Sequence, residues 1–87
     1  MAKFEVGKAY NYGESGFDPV FVVKRTDKTV WARWSSGSVY MLRVRKRDNG
    51  DEYLLESGVP KRYKDSYTID ARWEDDSMTE WFRKNFT

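Results

Sequence analysis

The chain has 87 residues, with 16 Lys and Arg against 14 Asp and Glu, a net charge of +2, and it contains neither His nor Cys. That length makes one domain, residues 1–87. Without His the commonest general base and metal ligand are missing, and without Cys there is no disulfide framework or thiolate metal site.

Four Trp, six Tyr and five Phe supply apolar bulk. A chain this short needs it, because it buries only about 60–65% of its unfolded surface. The opening Met1-Ala2-Lys3-Phe4-Glu5 has no apolar core of a leader, and no apolar run approaches membrane-spanning length, so the expectation is a cytoplasmic protein. Charge is uneven. Residues 1–47 hold ten Lys and Arg against four Asp and Glu, a balance of +6, and residues 48–87 hold six against ten, a balance of −4. Either a basic face awaits phosphate or an acidic partner, or two complementary halves attract each other on folding.

In chain order, Phe4, Val6 and Tyr10 are apolar anchors, and Gly7-Lys8 turns into a short strand near residues 9–12. Residues 13–19 form a loop broken by Gly13, Gly16 and Pro19, with Phe17 a candidate plug for one end of the core.

Residues 20–55 read as an antiparallel meander, with β-branched and aromatic runs separated by short Gly, Asn, Asp and Ser clusters. A two-residue turn at Asp27-Lys28 puts Phe21 and Val23 on a core face with Ala32 and Trp34, and Lys24 directly across from Trp31. A loop at Ser36-Gly37-Ser38 then sets Trp31 against Arg43 and Arg33 against Met41; a two-residue loop would flip that pairing. Asn49-Gly50 is the strongest turn signal. Used as a two-residue turn, it pairs Arg47 with Glu52, Lys46 with Tyr53, Arg45 with Leu54 and Arg43 with Glu56. Leu42, Val44, Tyr53 and Leu55 then face the core.

Residues 56–66 are a polar link with Gly58, Pro60 and a basic Lys61-Arg62-Tyr63-Lys64 run. Residues 67–73 alternate as a strand, with Tyr67, Ile69, Ala71 and Trp73 on one side. Ser77-Met78-Thr79-Glu80 has the form of a capping box. Asp75 and Asp76 before it, and Arg83 and Lys84 after it, suit the helix dipole. Met78, Trp81, Phe82 and Phe86 make one apolar stripe on a helix over residues 78–86.

Two stretches, Phe4-Glu5-Val6-Gly7-Lys8-Ala9-Tyr10 and Val23-Lys24-Arg25-Thr26-Asp27-Lys28-Thr29-Val30, resemble a loose group of small phage and mobile-element proteins of Gram-positive gut bacteria. Arg43-Val44-Arg45 and Gly50-Asp51-Glu52-Tyr53 match two further short motifs of that group; residues 73–87 match nothing in it. The resemblance implies an accessory protein that binds a host or phage macromolecule, with no catalytic residue to transfer. The opening also resembles that of small SH3-like barrels. The expected fold is mainly β: a five-stranded antiparallel meander, as a strongly bent sheet or SH3-like barrel over residues 1–73, with one short C-terminal α-helix in residues 74–87.

The candidate binding face is Lys24, Trp31, Arg33, Met41, Arg43 and Arg45. A Trp flanked by cations can stack a base while Lys and Arg meet phosphates. Trp, Arg and Met are also enriched at protein interfaces. Two plainer arrangements compete: Lys24 and Arg43 cover an exposed Trp31, or the tail helix lies over the face. Glu52 and Glu56, set opposite the Arg43, Arg45 and Arg47 stripe, weigh against nucleic acid. Lys61, Arg62, Tyr63 and Lys64 form a secondary basic loop, either gripping an anion or simply solvated. Glu74, Asp75, Asp76 and Glu80 lack calcium-loop spacing and suit a helix start, so no metal or cofactor is expected. No nucleophile stands beside a base at useful spacing, so an enzyme is not expected. The expected function is a non-catalytic module that occludes a host defence nuclease or its nucleoprotein complex, in the manner of an anti-CRISPR protein. The alternatives are direct DNA or RNA binding on the same face and self-association through exposed strands. No small-molecule substrate or membrane partner is suggested.

Overall fold

The computed structural model describes residues 1–12, 19–55 and 68–86. Six strands, β1 (Ala9–Tyr12), β2 (Val20–Arg25), β3 (Thr29–Arg33), β4 (Val39–Lys46), β5 (Glu52–Leu55) and β6 (Thr68–Glu74), precede one helix, α1 (Asp76–Asn85). Neighbours in the chain pair antiparallel, and β1 also pairs with β6, so the sheet closes into a barrel. The expected five strands become six because the short Ala9–Tyr12 segment closes the seam. Closure gives each of the described strands a neighbour on both sides.

Phe4, Tyr10, Val20, Val22, Val30, Ala32, Leu42, Leu54, Ile69 and Ala71 fill the interior. Phe4 meets Tyr10 edge-on at 4.8 Å, and the Tyr10 hydroxyl accepts the Glu5 amide at 2.9 Å. Val6, expected as an anchor, is exposed on the turn.

Three registers differ from the expected ones, with unequal consequences. Between β2 and β3 the pairs Arg25–Val30 and Lys24–Trp31 stand as expected, but a bulge at Val23 makes Val22 the partner of Ala32. Val20 and Val22 therefore point inward in place of Phe21 and Val23. Between β3 and β4 the loop is Ser35-Ser36-Gly37, with Gly37 donating to the Trp34 carbonyl and Trp34 to that of Ser38. Gly37 takes φ 97°, the left-handed position such a loop needs. Trp31 thus faces Met41 and Arg33 faces Val39, a slip of two residues that leaves every side chain on its expected face.

Between β4 and β5 the slip is one residue. Gly50 (φ 92°) closes a three-residue loop over Asp48-Asn49-Gly50, and the pairs are Lys46–Glu52, Arg45–Tyr53 and Val44–Leu54. One residue exchanges the two faces. Glu52 and Leu54 turn inward and Tyr53 turns outward. The inward Glu52, 2% exposed, is matched on arrival. Arg25 grips it through Nη1 at 2.7 Å and Nη2 at 3.1 Å, and the Phe4 amide donates at 2.8 Å. Burial pushes its carboxyl upward, but the Arg25 guanidinium and the Phe4 amide outweigh that, so its pKa lies below the ordinary value.

The helix starts earlier than the expected box. Asp75 is the N-cap, accepting the Met78 amide at 3.0 Å. Asp75 wins over Ser77 because it is also tied to the barrel: its amide donates to the Ala9 carbonyl and its carboxylate accepts Asn11 Nδ2 at 2.8 Å. Thr79 Oγ1 accepts the Ala9 amide at 2.8 Å. Phe82 is buried and stacks on Phe21 at 5.4 Å. Of the expected stripe, Met78 and Phe86 are half-buried and Trp81 stays exposed. Phe17, Tyr67 and the 56–66 link lie outside the described residues.

Candidate binding face

The pleat decides which side chains leave the barrel. Val30, Ala32, Leu42 and Leu54 point inward, so Trp31, Met41, Arg43, Arg45 and Tyr53, which alternate with them, point outward. Lys24, Trp31 and Met41 form one rung across β2, β3 and β4. Lys24 Nζ sits 4.8 Å from the indole centre. Trp31 is half-buried, while Met41 is 63% exposed and Lys24, Arg43 and Arg45 are exposed. Arg43 lies opposite Thr29, and Arg45 opposite Tyr53. Five of the six expected residues therefore share one open face.

Arg33 does not join them. Its row holds Phe21 and Val39, and the helix covers it. The Arg33 guanidinium lies 5.0 Å over the Phe86 ring, and its Nε is buried without a hydrogen-bond partner. Phe86 also packs against Gly37, where an added Cβ would come within 3.3 Å of the ring. The competing arrangement with the tail helix over the face thus holds for the Phe21–Arg33 row. Of the other arrangement, Lys24 does lie over Trp31 on the next row, but Arg43 stands opposite Thr29 and Trp31 is half-buried.

The electrostatics of the open face follow from the β4–β5 slip. The expected neutraliser, Glu52, is inside the barrel with Arg25, and Glu56 lies outside the described residues. Among the described residues Lys24, Arg43 and Arg45 form no ion pair. Of the acids near the helix, Glu74 meets Lys8 at 3.2 Å and Asp75 caps α1. The basic Lys61-Arg62-Tyr63-Lys64 run is outside the described residues.

Sequence reasoning missed the continuation of this face onto β5 and β6. Tyr53 sits between Arg45 and Asp70 in one outward row. The Arg47 guanidinium stacks 4.7 Å over Tyr53 and donates from Nε to Asp70 at 3.0 Å. Arg72 donates to Asp70 from its amide at 2.9 Å and from Nε and Nη2 at 3.0 Å. Burial pushes the Asp70 carboxyl upward, but hydrogen bonds from Arg72 and Arg47 prevail and hold it below its ordinary pKa. The signal was present: alternation on residues 67–73 puts Asp70 and Arg72 outward once Ile69 and Ala71 face in.

No helix among the described residues is long and apolar enough to cross a membrane. No family model, curated protein or solved structure matches the chain.

Proposed function

We propose that this chain is a non-catalytic cytoplasmic module that binds single-stranded nucleic acid along the outer face of β2–β5. One observation carries the reading: the β4–β5 register buries Glu52 and turns Tyr53 outward. The strip of Lys24, Trp31, Arg43, Arg45 and Tyr53 thereby combines two aromatic rings with cations that have no described carboxylate partner. Trp31 supplies a stacking plane once Lys24 swings from the indole to a phosphate, an exchange that costs only the cation–π contact, about 0.5–1 kcal/mol at an exposed site. Arg43 and Arg45, two residues apart on one strand, are about 7 Å apart. They suit a backbone running along β4 better than one chelated phosphate. Stacking accepts every base, so the expected binding is tolerant of sequence.

A second reading rests on Val39 and Met41, outward residues of β4 that expose apolar surface on the Trp31 side of the sheet. With the resemblance to phage and mobile-element proteins, they favour a module that occludes a host defence nuclease or its nucleoprotein complex, since aromatic, Met and Arg side chains dominate protein interfaces. Fluorescence anisotropy with a labelled oligonucleotide separates the two. The nucleic-acid reading expects binding that weakens steeply between about 50 and 200 mM salt and is reduced by about 1–3 kcal/mol with Trp31→Ala. The protein-directed reading expects no anisotropy change, and recovery of one host protein that Trp31→Ala abolishes.

A further inference from the structure

The Arg47–Asp70–Arg72 cluster is built around a buried carboxylate with two guanidiniums at the surface. Asp70 has no exposure at all, whereas the Arg47 and Arg72 side chains above it are 37% and 46% exposed. A buried carboxylate with two arginines is commonly no better for stability than apolar residues of similar volume. It does fix where the two guanidiniums stand. Among the described groups Arg47 is engaged only through Nε, leaving both Nη groups, and Arg72 keeps Nη1. Asp51 approaches Arg72 only to 3.8 Å, and its oxygens serve Ala2 and Asn49. Tyr53 holds the plane of the Arg47 guanidinium from below, and Arg45 adds a third cation in the Tyr53 row.

We propose that Arg47 and Arg72 form a phosphate clamp, oriented by Asp70, that grips one backbone phosphate of the bound strand while a neighbouring base stacks on the Arg47–Tyr53 pair. The inference rests on the nucleic-acid reading and extends its track from the Trp31 rung to β6. The planar guanidinium fork matches phosphate oxygens, and its open face takes a base as an aromatic ring does. Asp70 is a positioning residue in this scheme: it never touches the ligand.

The test uses a fluorescein-labelled oligothymidylate and four variants of the full chain, each checked for folding by its unfolding curve. Arg47→Lys and Arg72→Lys keep the charge but lose the fork, and each is expected to weaken binding about three- to tenfold. Asp70→Asn adds one positive charge, yet is expected to weaken binding because both forks lose their anchor. If Asp70→Asn fails to fold, the two Lys variants decide alone. Lys variants that match the wild type, or an Asp70→Asn variant that binds more tightly, would show that charge alone matters and overturn the clamp. Trp31→Ala separates the two failures. Loss with Trp31→Ala but not with the clamp variants leaves the binding face standing and removes the clamp, whereas a wild-type chain that does not bind the oligonucleotide removes both.

Discussion

The barrel has two walls that use the same kind of contact for opposite ends. On the wall under the helix, the outward row of Phe21 on β2 and Arg33 at the end of β3, aromatic rings meet the C-terminal segment: Phe21 stacks on Phe82, and Arg33 lies over Phe86. On the open wall, which runs from Lys24 on β2 across β3 and β4 to Tyr53 on β5, Lys24 lies over Trp31 and Arg47 over Tyr53 with no described element above them. A cation over a ring is thus not in itself a sign of function. What separates the walls is the second partner. Arg33 and Phe21 are covered by α1, so their contacts are spent on holding the helix. Lys24, Arg43 and Arg45 form no ion pair among the described residues. A short helix of this kind does not persist alone in water, so the covered wall is also what makes α1 a helix.

The comparison breaks most visibly if the covered wall or the interior is damaged. Phe82→Ala should cost about 3–5 kcal/mol of stability in chemical unfolding, the usual range for a buried Phe, and should leave oligonucleotide affinity unchanged wherever the chain remains folded. Glu52→Gln should cost a comparable amount, about 3–5 kcal/mol, because it strands Arg25 without its countercharge. The native pKa of Glu52 lies below its ordinary 4.5. Its stabilisation is therefore present above pH 4.5 and is lost as the pH falls through the lower native value. Unfolding curves should hold steady from about pH 8 to pH 5, where a chain without His has no side chain of ordinary pKa to titrate. They should then decline on acidification, less steeply in Glu52→Gln.

The open wall should show the reverse pattern. Trp31→Ala should reduce oligonucleotide affinity by about 1–3 kcal/mol, the worth of one stacked base, with a smaller effect on stability. Arg43→Ala combined with Arg45→Ala should change stability by less than about 0.5 kcal/mol per site. It should lower the salt dependence of binding by about one unit of slope per lost phosphate contact. On the covered row, Arg33→Ala should cost about 0.5–1 kcal/mol of stability through the Phe86 contact and should not change the salt slope. A slope change there would mean that the helix leaves the covered row open to ligand.

The hairpin order, the strand positions and the closing helix were legible because apolar alternation and turn residues are local signals. Registers were harder, since a loop can use the same residues in two ways. Asn49-Gly50 fits a two-residue turn, yet the chain closes a three-residue loop over Asp48-Asn49-Gly50 with Gly50 at positive φ. The choice is made by Glu52 finding Arg25 from 27 residues away, which no local pattern reveals. At Ser35–Gly37 the loop was also misplaced, but by two residues, so the face containing Trp31, Met41 and Arg43 survived. Val23 bulged without any Gly or Pro to announce it. Arg33 was lost to the helix because docking depends on where Phe82 and Phe86 land, again a long-range matter. Asp70 could have been read outward from the alternation around it; its role emerges only beside Tyr53, whose face had been assigned the wrong way.

The most direct test follows the backbone amides and Trp indole N–H signals by NMR while an oligothymidylate is added. The account predicts shifts at the Trp31 indole and along Arg43, Arg45 and Tyr53, with the Trp81 indole and the rest of α1 unmoved. Shifts centred on α1, or none on the β3–β5 face at low salt, would contradict it.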